Sequence, residues 1–274
     1  LGVFLVAINF SFLPVPIVWL LATGGAVIFG AAWAFIPAYL QATRGSHVVI
    51  TTIMFNFIAA SLMVFLLVDV IRDTTQMGPH TVALPEEQWF PSFEDFAALF
   101  GIKIRYSPLN ISFLLAIAAS FFVWFLVWKT RWGYEMRAVG HNTQAAIYAG
   151  ISPYKNIIIA MCISGGLAGL LAVNEILGVH HKIVAGFPAG YGFTGIAVAL
   201  MGRNHPIGIF PAAFLFGILY QGGSEVTFDM PNITRYMFVA VQGVIILFSG
   251  ALENLFRPQI ENFFVNRLNL KAKA

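Results

Sequence analysis

Residues 129–155 read KTRWGYEMRAVGHNTQAAIYAGISPYK, a polar island between two long apolar runs. It carries Lys129, Arg131, Arg137 and Lys155 against a single acid, Glu135. An apolar run of about 20 residues is long enough to cross a bilayer as a helix. A short basic loop between two such runs belongs on the cytoplasmic side. The island also has local structure. Asn142 is a good N-cap, Thr143–Ala149 reads as a short helix, and Gly150 stands where a helix stops at its C′ position. Ser152 and Pro153 then cap and open the next helix, with proline at its first position. A two-turn helix has little stability alone, so it is expected to dock onto something. The small side chains of Ala145, Ala146 and Ala149 let another surface come close. Spacing alone fits a loop that merely fixes topology as well as a helix that receives force from a partner.

Composition places the island in context. The chain has 274 residues, 59% hydrophobic and 10% charged, with a mean hydropathy of +0.81. A soluble domain carries about 25% charged residues, so an integral membrane protein is the class that remains. The formal net charge of +3 is read by its location and not as a nucleic-acid signal. Cys162, the one cysteine, lies in an apolar run and is expected to be a buried, inert thiol. The first apolar run starts at once, with no charged segment or cleavage site before it, so it is not expected to be a signal peptide.

Taken in order, Leu1–Leu13 reads as the end of a truncated span, broken by Pro14 and Pro16. Full spans follow at Val18–Tyr39, Val48–Val68, Leu109–Trp128 and Asn156–Leu177. Between the second and third lies a long polar stretch, residues 69–108, expected to form an external loop. Tyr191–Met201 is too short to cross and reads as a broken or re-entrant helix, tolerated only against protein or a cavity. Ile207–Tyr220 and Ile233–Ser249 complete the set, for seven to eight membrane segments in one domain, residues 1–274. Alternation from a cytoplasmic island puts Arg44, Arg203 and the tail cations Arg257, Arg267, Lys271 and Lys273 inside as well. Only Arg72, Lys103, Arg105, Lys182 and Arg235 of the 15 Lys and Arg then fall outside.

Two polar groups stand inside spans. Glu175 is the one acid within an apolar run, and intramembrane acids are costly and often functional. It either serves a pathway or pairs with His180 or His181 near the outer interface. Asn56, a lone amide in mid-span, is either an interhelical hydrogen bond or a pathway contact. Asn110-Ile-Ser and Asn232-Ile-Thr match glycosylation sequons, a pattern too short to weigh much. No catalytic set emerges, and Ser164 beside Gly165 and Gly166 has no evident base. His180 and His181 lack metal-ligand spacing, so no metal site is expected. The chain holds no G-x-x-x-x-G-K-[ST] phosphate loop and so does not bind ATP by that device.

The wording of three stretches goes further than their physics. The run from Arg137 through Gly140, Asn142, Ala145, Ala146, Ala149 and Gly150 to Ile151 resembles the R-A-x-G-x-N-x-x-A-A-x-x-A-G-I coupling loop of ABC importer permeases. The closest group is the ribose, nucleoside and branched-chain amino acid permease family. Gly190–Pro206 resembles the G-Y-G-F-x-G-I-A-V-A-L-x-G-R-x-x-P signature of its simple-sugar and nucleoside branch, and residues 50–59 resemble a T-x-M-x-N-x-I-A helix. The family's N-x-G-x-E-G-Q segment has no counterpart, so upstream residues are expected to be missing. The resemblance implies an all-α, polytopic transmembrane bundle of the ABC permease type in a bacterial plasma (inner) membrane. It implies a second permease subunit, cytoplasmic ATPases that hold the ATP, and an external substrate-binding protein. The chain itself would bind no cofactor and catalyse no chemistry. A nucleoside is the favoured substrate, then ribose or a related sugar, then a branched-chain amino acid. Asn56, Glu175, Tyr191, Phe193 and Thr194 are the candidate path residues. An ion-coupled secondary transporter using Glu175, or an intramembrane enzyme, are the alternative classes.

The charge pattern yields a test of orientation. With Cys162→Ala as background, an impermeant thiol reagent on intact cells should label a cysteine at Thr81 and spare one at Thr143. The reverse pattern would overturn the topology.

Overall fold

The computed structural model describes residues 1–73, 78–93, 109–186, 190–230, 237–245 and 247–248. Several expected features lie outside them: Lys103, Arg105, Arg235, the Asn232 sequon, part of the last span and the whole basic tail. The chain forms two compact units, Leu1–Phe187 and Pro188–Ala274, each taken here by itself. In the first unit, α1 is Gly2–Asn9, α2 Val15–Arg44, α3 Val48–Phe65 and α4 Ser112–Lys129. The island folds as α5, Arg131–His141, and α6, Thr143–Tyr148; then comes α7, Pro153–Val173. Helix α3 runs on into a π-helical turn, Leu66–Val70, and α7 into another, Asn174–Val179. The second unit holds α8, Tyr191–Met201, and α9, Pro206–Asp229, with residues 237–245 also helical.

Five helical segments among the described residues are long and apolar enough to span a membrane: Val15–Arg44, Val48–Val70, Ser112–Lys129, Pro153–Val179 and Pro206–Thr227. The all-helical polytopic reading therefore holds, while several boundaries move. Helix α2 extends beyond Val18–Tyr39 at both ends, from Pro14 as N-cap to Gly45, whose φ of 64° ends it in the left-handed region. Its 30 residues rise about 45 Å, more than a bilayer's apolar thickness, so the helix tilts or projects. Helix α9 continues past Tyr220 to Asp229. Residues 221–229, beyond the apolar run that ends at Tyr220, are thus helical.

Helices α2 and α7 share the most extensive helix-to-helix contact among the described residues. A Cβ on Gly30 would collide with the Gly165 carbonyl, and one on Gly165 with both Ala34 and the Gly30 carbonyl. A Cβ on Gly169 would strike the Ala26 carbonyl, and one on Gly166 would come within 3.0 Å of Val27. Small residues let the two backbones touch, which replaces the hydrophobic drive that lipid cannot supply. Helix α1 closes on the same scaffold, with Val3, Phe4 and Ala7 buried against α2.

The stretch read as an external loop is partly a folded cap. Thr81 makes two hydrogen bonds with Ile183: its N–H donates to the Ile183 carbonyl at 3.1 Å, and its side-chain Oγ accepts from the Ile183 N–H at 3.0 Å. Leu84 and Phe90 donate their N–H groups to the carbonyls of His181 and Leu177, both at 2.8 Å. Trp19 of α2 donates its indole N–H to the Gln88 carbonyl at 2.8 Å. Leu84 and Phe90 thereby enter one apolar core with Val18, Leu67, Val173, Ile176 and Ile183. Thr81 is fully buried, so the external label belongs on exposed Glu87 instead.

The glycine seam makes a sharp prediction. Gly30→Ala or Gly165→Ala should lower thermal stability in detergent by about 1–3 kcal/mol or more, because a backbone carbonyl cannot step aside. Gly24→Ala on the same helix meets nothing within 4 Å and should be neutral or slightly stabilising. Equal melting temperatures for all three variants would refute the seam.

Candidate functional site

The island is built from two capped helices in series. Helix α4 ends at Lys129 and the chain turns at Thr130, whose ψ is 158°. The Thr130 Oγ donates to the Leu126 carbonyl at 2.6 Å and accepts from the Gly133 N–H at 3.2 Å. Gly133 sits so close to the Leu126 and Val127 carbonyls that no side chain fits there. Helix α5 then runs to His141, and Asn142 caps α6, its side-chain oxygen accepting from Gln144 N at 3.0 Å and Ala145 N at 3.1 Å. At the far end, Gly150 has φ 77° and donates to the Ile147 carbonyl at 2.9 Å, while Ile151 donates to Ala146, also at 2.9 Å. That pair of bonds is the Schellman motif. Ser152 is the N-cap of α7 by its backbone, with no side-chain cap bond.

The expected coupling residues divide by exposure. Asn142, Ala145, Ala149, Gly150, Arg137 and Gly140 are exposed. Ala146 is only 3% exposed and faces the chain's own interior, so it is not part of the approachable face. Arg137 folds back on α5, donating from Nε to the Gly133 carbonyl at 3.4 Å. A Cβ on Gly140 would meet nothing within 4 Å. The sequence reading missed α5 and the two apolar groups that α6 presents: Tyr148 is 92% and Ile147 51% exposed.

The intramembrane candidates do not form one cluster. Glu175 is 7% exposed and lies on the π-turn after α7. Its Oε1 accepts from Asn174 Nδ2 at 3.3 Å, and its Oε2 is 3.4 Å from His180 Nε2. Asn174 Oδ1 in turn accepts from Ser112 Oγ at 2.5 Å and Asn110 Nδ2 at 3.3 Å. The partner anticipated for Glu175 is therefore His180 and not His181, within a network that ties α4 to α7. Asn110 is buried in that network, so its sequon is no surface acceptor. Asn56 lies elsewhere, on the wall of a cleft of about 250 Å³ between α2, α3 and α7. Ser164, which had no evident role, faces the same cleft. Cys162 is half-buried rather than buried and lines a separate apolar groove.

Tyr191, Phe193 and Thr194 begin α8 in the second unit. Gly190, with φ 82°, precedes them as N-cap. Phe193 and Thr194 are exposed and Tyr191 is half-buried. The helix has 11 residues, as short as the sequence required. It ends at Gly202, and Arg203 and Asn204, with φ 56° and 52°, reverse the chain into Pro206. Gly202 and Gly208 touch across that turn, where a side chain on either would clash.

Comparison with known proteins completes the picture. A family model described as "Branched-chain amino acid transport system / permease component" matches residues 1–250. The chain belongs to that permease family. It is 35% identical to the guanosine ABC transporter permease protein NupP of Bacillus subtilis over 226 residues, 81% of this chain and 62% of the relative. Identity is 31% to the glucose ABC transporter permease protein TsgB13 of Haloferax volcanii, over 96% of this chain and 69% of the relative. It is 35% to the nucleoside ABC transporter permease protein NupB of Lactococcus lactis, over 78% and 59%. This member of the permease family thus spans roughly three-fifths to two-thirds of the length of these relatives. No solved structure matches it significantly. Membership and the five apolar spans make it a multi-pass protein of the plasma membrane.

The outer cap carries a titratable contact. Trp89 stacks on His181 at 3.8 Å between ring centres and 10° between planes. Burial, first of all, holds the His181 imidazole below its ordinary pKa; a backbone hydrogen bond with Leu177 opposes this and the neighbouring His180 charge reinforces it. A histidine held low when folded contributes stability above its unfolded pKa, and that contribution is lost as pH falls through the folded value. Glu175, His180 and Lys182 lie on the same linker, and Glu86 and Glu87 on the cap. The wild type should therefore lose more melting temperature between about pH 7.5 and pH 5 than His181→Phe, which keeps a ring on Trp89. Identical losses would show that His181 does not titrate into the cap.

Proposed function

We propose that this chain is the membrane permease subunit of an ATP-driven ABC importer for nucleosides, with ribose-like simple sugars the next candidate. Support for the class comes from the family and from relatives named as guanosine, nucleoside and glucose permeases. Two copies of such a subunit, or two related ones, would form the passage. Cytoplasmic ATPases would hold and hydrolyse the ATP, and an external binding protein would deliver substrate. The chain itself would bind no nucleotide cofactor and carry out no covalent chemistry.

The observation that carries the coupling role is α6. It is a short helix capped by chemistry at both ends, and it exposes Ile147 and Tyr148 with small Ala145 and Ala149 nearby. Aromatic groups flanked by small residues suit docking into a groove on a partner. Gly140 fits the same reading: glycine within a helix costs about 1 kcal/mol against alanine, and no described residue crowds it there. The caps leave no slack between α6 and its neighbours. Movement of α6 by closing ATPases would pass through Asn142 and α5 to α4, and through Gly150 and Ser152 to α7.

Tyr148→Ala should weaken co-purification with the ATPase by about 2 kcal/mol, roughly 30-fold, and Ala145→Arg should abolish ATP-driven uptake. Both should leave insertion and melting temperature unchanged. Ala146→Arg is a different experiment, because it buries a cation inside the chain and should lower stability. Normal uptake by both Tyr148→Ala and Ala145→Arg would show α6 to be a passive loop.

A further inference from the structure

We infer that the cleft between α2, α3 and α7 is the substrate-holding site of the passage and takes a ring-bearing, hydroxylated molecule of the nucleoside class; this rests on the importer reading above. The inference starts from Asn56 and Ser164. They project from different helices into one cleft, both are exposed, and neither has a hydrogen-bond partner among the described residues. An amide or hydroxyl left unpaired in hydrocarbon costs several kcal/mol, about 4–8 on a water-to-cyclohexane scale. Such a face does not belong against lipid tails. The opposite flank of α7 supplies the contrast. There a groove of about 480 Å³ is lined by Val27, Leu115, Ala119, Phe122, Leu167 and Leu170 among other apolar residues, and apart from the Cys162 thiol it presents no polar side chain. One side of α7 is thus fit for lipid, and the other is fit for water and a polar solute.

The remaining cleft walls define what that solute offers. Trp33 and Phe55 meet edge to face, with ring centres 6.0 Å apart and planes at 72°, so the aromatic wall is fixed in orientation. Thr52 already donates its hydroxyl proton to the Val48 carbonyl at 2.9 Å, which leaves its oxygen to accept. Pro37, also in the lining, has no N–H to give to the Trp33 carbonyl one turn earlier in α2. The Trp33 carbonyl therefore lacks its usual i+4 donor within the helix. A volume of about 250 Å³ lies just under the ~300–1,000 Å³ typical of drug-sized ligands. Aromatic faces, one amide and two hydroxyl oxygens in that space match a stacked base with a hydroxylated ring. They match an aliphatic amino acid poorly, since the lining has no charged group for its carboxylate or ammonium. Glu175 and its network are not part of this lining. Of the path candidates read from the sequence, Asn56 lies in this cleft, and the fold adds Trp33, Thr52 and Ser164 to it.

The test uses the complete importer in vesicles, with Ser164→Cys in a Cys162→Ala background. A water-soluble maleimide should label Cys at position 164, and guanosine should slow that labelling at least fivefold while leucine leaves it unchanged. In parallel, Asn56→Leu and Ser164→Ala should each raise the KM for guanosine uptake about tenfold, the cost of one lost hydrogen bond of about 1.4 kcal/mol. Asn56→Gln should recover part of the loss. Three results would overturn the inference: no labelling by the aqueous reagent, a disulfide between two copies through position 164, or labelling and KM indifferent to guanosine. If guanosine uptake stays normal in those cases, the site fails while the importer reading stands. If wild-type vesicles take up neither guanosine nor ribose on adding ATP, the importer reading itself falls and the ligand assignment with it.

Discussion

Backbone contact between α2 and α7 is the constraint from which the first unit is assembled. Water drives apolar side chains together, but lipid is as apolar as leucine, so helices in a bilayer must associate by close packing. Gly30, Gly165, Gly166 and Gly169, with Ala26 and Ala34, let main-chain atoms of the two helices meet directly. That contact fixes the azimuth of both helices. Ser164 and Trp33, each adjacent in sequence to a seam residue, are thereby turned into the same cleft. The outer cap depends on the seam as well. Its core residues Leu84 and Phe90 pack between Val18 of α2 and Val173 and Ile176 of the α7 segment.

What could be read from the sequence was what local chemistry decides. Asn142, Gly150 and Ser152-Pro153 were recognisable as caps because capping needs only a side chain and a few backbone N–H and C=O groups. The spans were recognisable because about 20 apolar residues have few other uses. Helix α5 was not recognised. Arg131–His141 is polar on average, unlike the spans, and Gly133 looks like a breaker, although it is there to let the chain turn under α4. The far end of α9 was lost for a similar reason. Gln221, Ser224 and Glu225 lower its hydropathy, yet they bond along the helix, Gln221 Nε2 donating to Glu225 Oε1 at 3.1 Å and Ser224 Oγ to the Gln221 carbonyl at 2.7 Å. The outer cap was beyond sequence reading altogether. Its few apolar residues are scattered in a polar stretch, and their partners lie about a hundred positions away, as Thr81 and Ile183 do.

The intramembrane polar groups show the same division. Asn56 was visible as a lone amide; among the described residues no group hydrogen-bonds it, and it lines the cleft with Trp33 and Ser164. Glu175 drew attention as an isolated acid, and the fold surrounds it with Asn174 and His180. Ser164 was considered as a nucleophile and set aside for want of a base. Its role in the proposed site depends on α3, whose relevant residues lie more than a hundred positions earlier. Nothing in the sequence around Ser164 points to Asn56.

The two walls of the cleft differ mechanically, and that difference bears on how a coupling force would be used. Helices α2 and α7 interlock through their backbones, so sliding one past the other would drive a carbonyl into a glycine Cα; they move as one body. Helix α3 is the reverse case. None of its residues from Val48 to Phe65 is buried, and it meets α2 through side chains such as Phe55 against Trp33. On the proposed function, a push on α6 would enter α7 through the Schellman turn and the Ser152 N-cap position. The compliant element on the far side of the cleft is then α3. Displacing the α2–α7 body against it changes the gap between Ser164 and Asn56 while the seam stays intact. A substrate held by hydrogen bonds from both walls would be gripped or released by that change alone.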